Sequence, residues 1–254
     1  MSTFIIGTRE NPIYPDVVPK DVLFINGAIL SSKHPDFKYA NRSIVLSPHI
    51  FVNNFQDLIK YKTDLNINRI NLFKEIRKKL MEDYFSDLYI RPISDNHYFD
   101  FNYENIKCNN INIFENNDFD KFLLESFDLN NYFKRTKFLF NKFENEPKNI
   151  IKYFLNRISI KMMNNFKVST GILGLMIAKK FEKFKPPYFV IGIGLDRSGY
   201  VFDNKLIEER NNHIKADLNY INFIIKNKDF LKEVHFTNKD IAKLMYLSKY
   251  IFLF

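Results

Sequence analysis

Four short apolar runs constrain this chain more than anything else in it. They are T-F-I-I-G (Thr3 to Gly7), D-V-L-F-I-N (Asp21 to Asn26), S-I-V-L-S (Ser43 to Ser47) and Y-F-V-I-G-I-G-L-D (Tyr188 to Asp196). Each is the length of a buried strand and stops at a small or polar residue, which is how strand ends present groups to a ligand. Between them lie segments of helical spacing. Phe51 to Tyr84 repeats Leu58, Ile70, Phe73, Ile76 and Leu80, and it divides into two helices near Thr63 to Asn66. Leu88 to Ile93 reads as a fourth strand, and Asp95 to Asn117, rich in Asn, is the least structured-looking part.

Further helices are expected over Phe119 to Phe143 and Pro147 to Ile160. Ser169 can cap a helix from Gly171 to Lys183, which Pro186-Pro187 ends before the strand at Tyr188. A helix from Asp217 to Lys226, a strand from Glu233 to Phe236 and a terminal helix from Asp240 to Phe254 complete the pattern. Strands alternating with helices predict an α/β fold: a single Rossmann-like domain over residues 1–254 whose mostly parallel sheet carries helices on both faces. Residues 95–160 read as a small helical insertion, and 197–212 as a lid loop.

Composition removes several function classes. A single cysteine, Cys108, excludes an internal disulfide framework and a cysteine-based metal site, and a reducing cytoplasm is the simplest setting. Met1 to Gly7 lacks the basic start of a signal peptide, and no apolar run is long enough to span a membrane. The 28 Phe and 14 Tyr, beside abundant Asn, Lys and Ile, look like the imprint of an AT-rich genome and carry no functional weight. The net charge of +9 suits an anionic substrate or an acidic membrane face. Nucleic acid is not expected as a partner, because the basic residues are dispersed among acids and no nucleic-acid module is present; Arg77-Lys78-Lys79 is the wet face of a helix.

The last third carries the chemistry. S-T-G-I-L-G (Ser169 to Gly174), V-I-G-I-G-L-D (Val190 to Asp196), Y-V-F-D (Tyr200 to Asp203), H-I-K-A-D (His213 to Asp217) and V-H-F-T-N (Val234 to Asn238) follow one another in order. This order sets small, polar and titratable groups at the carboxyl ends of adjacent strands, where open α/β sheets build their sites.

Taken together with D-V-L-F-I-N, these segments resemble the bacterial sialyltransferases of glycosyltransferase family 42, collinearly over nearly the whole chain. The resemblance implies a sialyltransferase-like variant of the Rossmann fold. It implies transfer of sialic acid or a related ulosonic acid from a CMP-sugar donor to a cell-surface glycan, as in lipooligosaccharide or capsule synthesis, without a metal or other cofactor. Donor-binding residues would be Gly7, Thr8, Arg9 and Asn11 in the first loop, then Asn26, Ser47, Ser169, Thr170 and Gly171 around cytidine, ribose and phosphate. His213 would be the base that deprotonates the acceptor, a task suited to an imidazole, and Tyr200 would donate to the departing phosphate. Asp196 is the second catalytic candidate. It is a structural ligand in an inverting enzyme, or the covalent nucleophile of a retaining enzyme similar to the Kdo transferases. A third alternative is a nucleotide-sugar-binding protein that keeps the scaffold without turnover.

The chain departs from the family pattern in its first loop, where Gly7-Thr8-Arg9-Glu10-Asn11-Pro12 is longer and inserts Arg9. Ser198 stands near the place of the family's first phosphate tyrosine, and the lid between Tyr200 and His213 is shorter. Asp217 reads as the N-cap of its helix or as an orienting partner of His213. His235 reads as a buried, satisfied strand residue, His97 as surface, and His34 and His49 as strand-end residues within reach of the site. Asp118-Phe119-Asp120 matches the D-x-D of metal-dependent transferases but has no strand expected before it. The apolar tail from Leu244, with Lys243 and Lys249, reads as core packing or as a peripheral anchor on the inner face of the cytoplasmic membrane. Homo-oligomerisation is left open.

Overall fold

A computed structural model describes residues 1–8, 12–31, 37–61, 67–92, 100–129, 166–194 and 211–251. Among them, β1 (Thr3–Ile6), β2 (Asp21–Ile25), β3 (Asn41–Leu46), β4 (Phe85–Ile90), β5 (Cys108–Ile113), β6 (Tyr188–Ile191) and β7 (Val234–Phe236) form one sheet in the order β5-β4-β3-β2-β1-β6-β7. Its strand pairings are all parallel, which agrees with the expected Rossmann-like α/β architecture. The chain steps outward from β1 to β5, then returns past β1 to add β6 and β7. The strand order therefore reverses between β1 and β6, and in open sheets of this kind the crevice lies at that reversal.

Burial on both faces explains why the central strands read as unbroken apolar runs. Thr3 and Ile5 face one side of β1, Phe4 and Ile6 the other, and the alternation continues through Leu23 and Ile25 against Val22 and Phe24. On the first face lie α3 (Asn116–Ser126), α4 (Thr170–Lys180), α5 (Asn211–Lys226), α6 (Lys228–Glu233) and α7 (Lys239–Ile251). The second face is covered by the short 3-10 turns Asn26–Ser31 and Pro48–Phe51, with α1 (Phe55–Tyr61) and α2 (Ile67–Glu82). Gly174 lets α4 settle on the sheet: a Cβ there would lie 2.4 Å from Ile25 Cδ1 and 3.2 Å from Ile5 Cγ2. Each fully buried Leu or Ile in these layers contributes roughly 1.5–3 kcal/mol of transfer free energy.

The amino edge of the first face is held by charge. Lys183, beyond α4, donates through Nζ to Asp87 Oδ2, to Ser43 Oγ at 2.9 Å and to Ser86 Oγ at 3.3 Å. Asn110 Nδ2 donates to Asp87 Oδ1 at 2.9 Å, so a polar row crosses β3, β4 and β5.

Several boundaries differ from expectation, each for a tertiary reason. Cys108–Ile113 is a strand, although it lies in the stretch that looked least ordered. Pairing with β4 supplies the backbone partners that its Asn-rich sequence gives no sign of. A strand therefore does precede Asp118-Phe119-Asp120, and residues 95–160 add more than helix to the domain. His235 is exposed and stacks on Phe189 with ring centroids 5.1 Å apart, because β7 is an edge strand and only Val234 and Phe236 turn to the core. The expected helix from Pro147 to Ile160 lies outside the described residues, as do His34, His97 and the lid up to residue 210.

Candidate functional site at the carboxyl edge of the sheet

Five strand exits meet at the carboxyl edge: Gly7 after β1, Asn26 after β2, Ser47 after β3, Arg91 after β4 and Gly192 after β6. Asn26 takes a positive φ of 48°, a conformation that Asn tolerates better than most residues, and its Oδ1 accepts from Ser47 N at 3.0 Å. Ser47 Oγ in turn lies 2.8 Å from His49 Nδ1. The ends of β2 and β3 are thus tied together, and His49 joins them through Ser47.

At the reversal point the glycines bring backbone against backbone. Gly7 N donates to Ile191 O at 2.7 Å, and a Cβ on Gly7 would lie 2.4 Å from Gly192 O. Gly192 has φ 63°, which suits glycine. A Cβ on Gly171 would sit 3.0 Å from Ile193 Cγ2, so the start of α4 leans on the exit of β6. Thr8 follows Gly7 half-buried, while Arg9, Asn11, Asp196, Ser198 and Tyr200 lie outside the described residues.

The chemistry concentrates where α5 meets the start of α4. Ser169 caps α4, its Oγ accepting from Ile172 N at 3.4 Å. Asp217 Oδ1 accepts from Ser169 N at 2.7 Å. One turn earlier on α5, His213 Nδ1 lies 2.8 Å from Lys167 O. A carbonyl oxygen only accepts, so Nδ1 carries the hydrogen and, in the neutral ring, Nε2 carries the lone pair. Residues i and i+4 of one helix therefore grip two backbone groups of Lys167 to Ser169, as spacing on one helix face allows.

This arrangement corrects two expectations. The helix begins at Asn211, so His213 sits in its first turn instead of in a loop, and Asp217 lies inside the helix instead of capping it. Asp217 caps a different helix, α4, from across the interface. Only 5% exposed, it has its carboxyl pushed up to about 6 by burial, against the opposing pull of the Ser169 N–H and O–H and of the Arg91 charge.

Arg91 was not among the residues expected here. Its Nη1 donates to Thr170 Oγ1 at 2.9 Å, and its guanidinium lies 5.7 Å from the centroid of the Phe119 ring. Asp120, beside Phe119, has its carboxyl raised by burial and held back by the Lys167 charge. Among the described residues no group of three or more His, Cys, Asp or Glu side chains is placed to hold a metal ion.

Comparison with protein-family models, curated proteins and solved structures finds no match to this chain.

His213, Ser169, Thr170 and Gly171 thus come together in one corner with Asp217 and Arg91, while Asn26, Ser47 and His49 form a second group along the same edge. The corner offers a base of defined tautomer, a buried carboxyl titrating near neutrality, a fixed cation and a hydroxyl. Proton transfer beside an anionic group is the chemistry such a set can perform.

Proposed function

We propose that this protein is a glycosyltransferase that moves sialic acid or a related ulosonic acid from its CMP-activated form onto a glycan hydroxyl without a metal ion. The observation that carries the reading is the double grip of His213 and Asp217 on Lys167 to Ser169, at the carboxyl edge where an α/β sheet binds nucleotides. In this reaction His213 Nε2 removes the proton of the acceptor hydroxyl, whose oxygen attacks the anomeric carbon. The bond from that carbon to the phosphate oxygen breaks, and the electron pair leaves with CMP. The Lys167 carbonyl keeps the ring oriented and stabilises the imidazolium that forms. Donor positioning falls to Gly7, Thr8, Arg9, Asn11, Asn26, Ser47, Thr170 and Gly171, with Tyr200 on the departing phosphate.

A second reading, a nucleotide-sugar-binding protein that keeps the scaffold without turnover, rests on the first loop, longer by the inserted Arg9, and on the short stretch between Tyr200 and His213. The deciding measurement is a thermal-shift panel of CMP, CDP, UDP, GDP and CMP-sugars, followed by donor turnover with glycan acceptors. A ligand at one hundred times its dissociation constant stabilises by about 2.7 kcal/mol. Selective stabilisation by CMP and CMP-sugars with turnover supports the transferase. Stabilisation without turnover supports the binding protein, and a preference for UDP or GDP defeats both. A sugar adduct on Asp196, read by intact mass, would instead mark the retaining course.

No helix among the described residues is long and apolar enough to cross a membrane. Peripheral contact with an anionic cytoplasmic membrane belongs to the same proposal. α7 buries Ile241 and Met245 but leaves Lys243, Leu244 and Tyr246 exposed, and co-sedimentation with anionic against neutral vesicles tests it.

A further inference from the structure

We infer that the outer border of β5 is a homodimer interface, where two copies of this chain pair their β5 strands antiparallel about a two-fold axis through Ile111. Among the described residues β5 ends the sheet, and its exposed side chains include Asn109, Asn110, Ile111 at 41% and Ile113 at 53%. Phe85 N–H donates to Lys107 O at 2.9 Å, so the odd-numbered backbone groups of β5 turn to β4 and those of Asn110 and Asn112 turn outward. The Asn110 carbonyl accepts from the Cys108 thiol at 2.9 Å and keeps a second lone pair for a strand neighbour. Sheet borders are commonly guarded by charged side chains, proline or a bulge, and Cys-Asn-Asn-Ile-Asn-Ile carries no charge and no proline.

The occupant is a second copy because the border is complementary to itself. Antiparallel pairing has to set outward-turned residues opposite one another, and the axis through Ile111 does so by placing Asn110 of one copy against Asn112 of the other. The same register sets Ile111 against its own counterpart, Ile113 against Asn109, and Lys107 against Glu115. Lys107 and Glu115 are both exposed, and Glu115 keeps an extended backbone at φ −74° and ψ 155°, so the extended segment reaches it. Lys107 Nζ donates to Glu82 O at 3.3 Å, which leaves its ammonium two further N–H groups. Each copy thus answers the charge at one end of the segment with the opposite charge at the other, in a protein whose net charge of +9 works against self-association. The other border, β7, is three residues long and offers β5 no strand of matching length, which disfavours head-to-tail growth. The two-fold pairing also directs the two carboxyl edges to opposite sides, so the candidate sites stay separate.

Analytical ultracentrifugation of the full chain over the micromolar range should show a monomer–dimer equilibrium. Ile111→Lys, which brings two ammonium groups together on the axis, should abolish the dimer. Lys107→Glu should weaken it by roughly tenfold, and Lys107→Glu combined with Glu115→Lys should restore it. These side chains are exposed, so the variants should fold, and far-UV circular dichroism checks that they do. In a Cys108→Ser background, Ile111→Cys should cross-link on oxidation, because a non-hydrogen-bonded antiparallel pair holds its Cα atoms about 4.5 Å apart, within disulfide reach. Asn109→Cys, set against Ile113 of the other copy, should not. A wild type that stays monomeric, one that grows into polymers, or a dimer that survives Ile111→Lys overturns the inference. A dimer lost in Ile111→Lys that fails to cross-link through Ile111→Cys overturns the register.

Discussion

Asp217 Oδ1 accepts the backbone N–H of Ser169 at 2.7 Å, so a carboxylate from the middle of α5 satisfies the first turn of α4. A negative charge suits that helix end, but burial raises the Asp217 carboxyl from 3.8 to about 6. The folded form thus holds its proton more tightly than the unfolded chain. The associated stability is fully present below about pH 4 and is lost as the pH rises through about 6, a change worth about 3 kcal/mol. Asp217→Asn keeps an acceptor oxygen and removes the titration. Denaturant melts of the two proteins from pH 4 to pH 7 should show the wild type losing about that much relative to the variant. A pH-independent difference would contradict the assignment.

On the proposed transferase mechanism, in which the His213 ring takes the acceptor proton, His213→Ala should lower sugar transfer by about 10²–10⁴-fold while leaving CMP affinity within about twofold. The same change leaves Lys167 O without its donor, at about 1 kcal/mol of stability. Progress curves with the variant, beside its CMP titration, check the split. Loss of CMP binding together with activity would mark His213 as a scaffold residue.

Two glycines should respond differently to alanine. At Gly7 the new methyl meets the Gly192 carbonyl at 2.4 Å, and backbone cannot move aside cheaply, so Gly7→Ala should cost about 1–3 kcal/mol. At Gly174 the closest atom is the free end of Ile25, and alanine gains helix propensity, so that variant should stay within about 1 kcal/mol of wild type. Equal melting temperatures for both variants would show that the two strand exits are not packed as described.

Lys183→Met strips Asp87, Ser43 and Ser86 of their shared donor and should destabilise by about 1–3 kcal/mol. Combining it with Asp87→Leu removes the stranded carboxylate and should recover part of the loss. A double-mutant cycle by chemical denaturation measures this coupling, and simple additivity would argue against it.

The strands that were legible in the sequence are those covered on both faces. The runs Phe4–Ile6, Val22–Ile25, Ile44–Leu46 and Tyr188–Ile191 are apolar for that reason. The cap on α4 was legible too, because Ser169 acts within three residues of itself. β5 was not, since an edge strand written Cys-Asn-Asn-Ile-Asn-Ile owes its form to β4 and leaves Ile111 and Ile113 exposed. An acid ahead of apolar periodicity reads as a cap, and only the contact with Ser169 shows which helix Asp217 serves. Arg91 carried a usable signal, a charged residue directly after an apolar run. The apolar run reads on to Ile93, whereas β4 stops at Ile90.

Thr3 pairs with Asp21 on one side and with Tyr188 on the other. During synthesis β1 can therefore join β2 almost at once, yet its opposite border stays open until nearly three quarters of the chain has left the ribosome. Such a nascent half-sheet offers unpaired amides and bare isoleucines to its surroundings, so assembly of this protein should be slow and helped by chaperones that shield exposed strand borders.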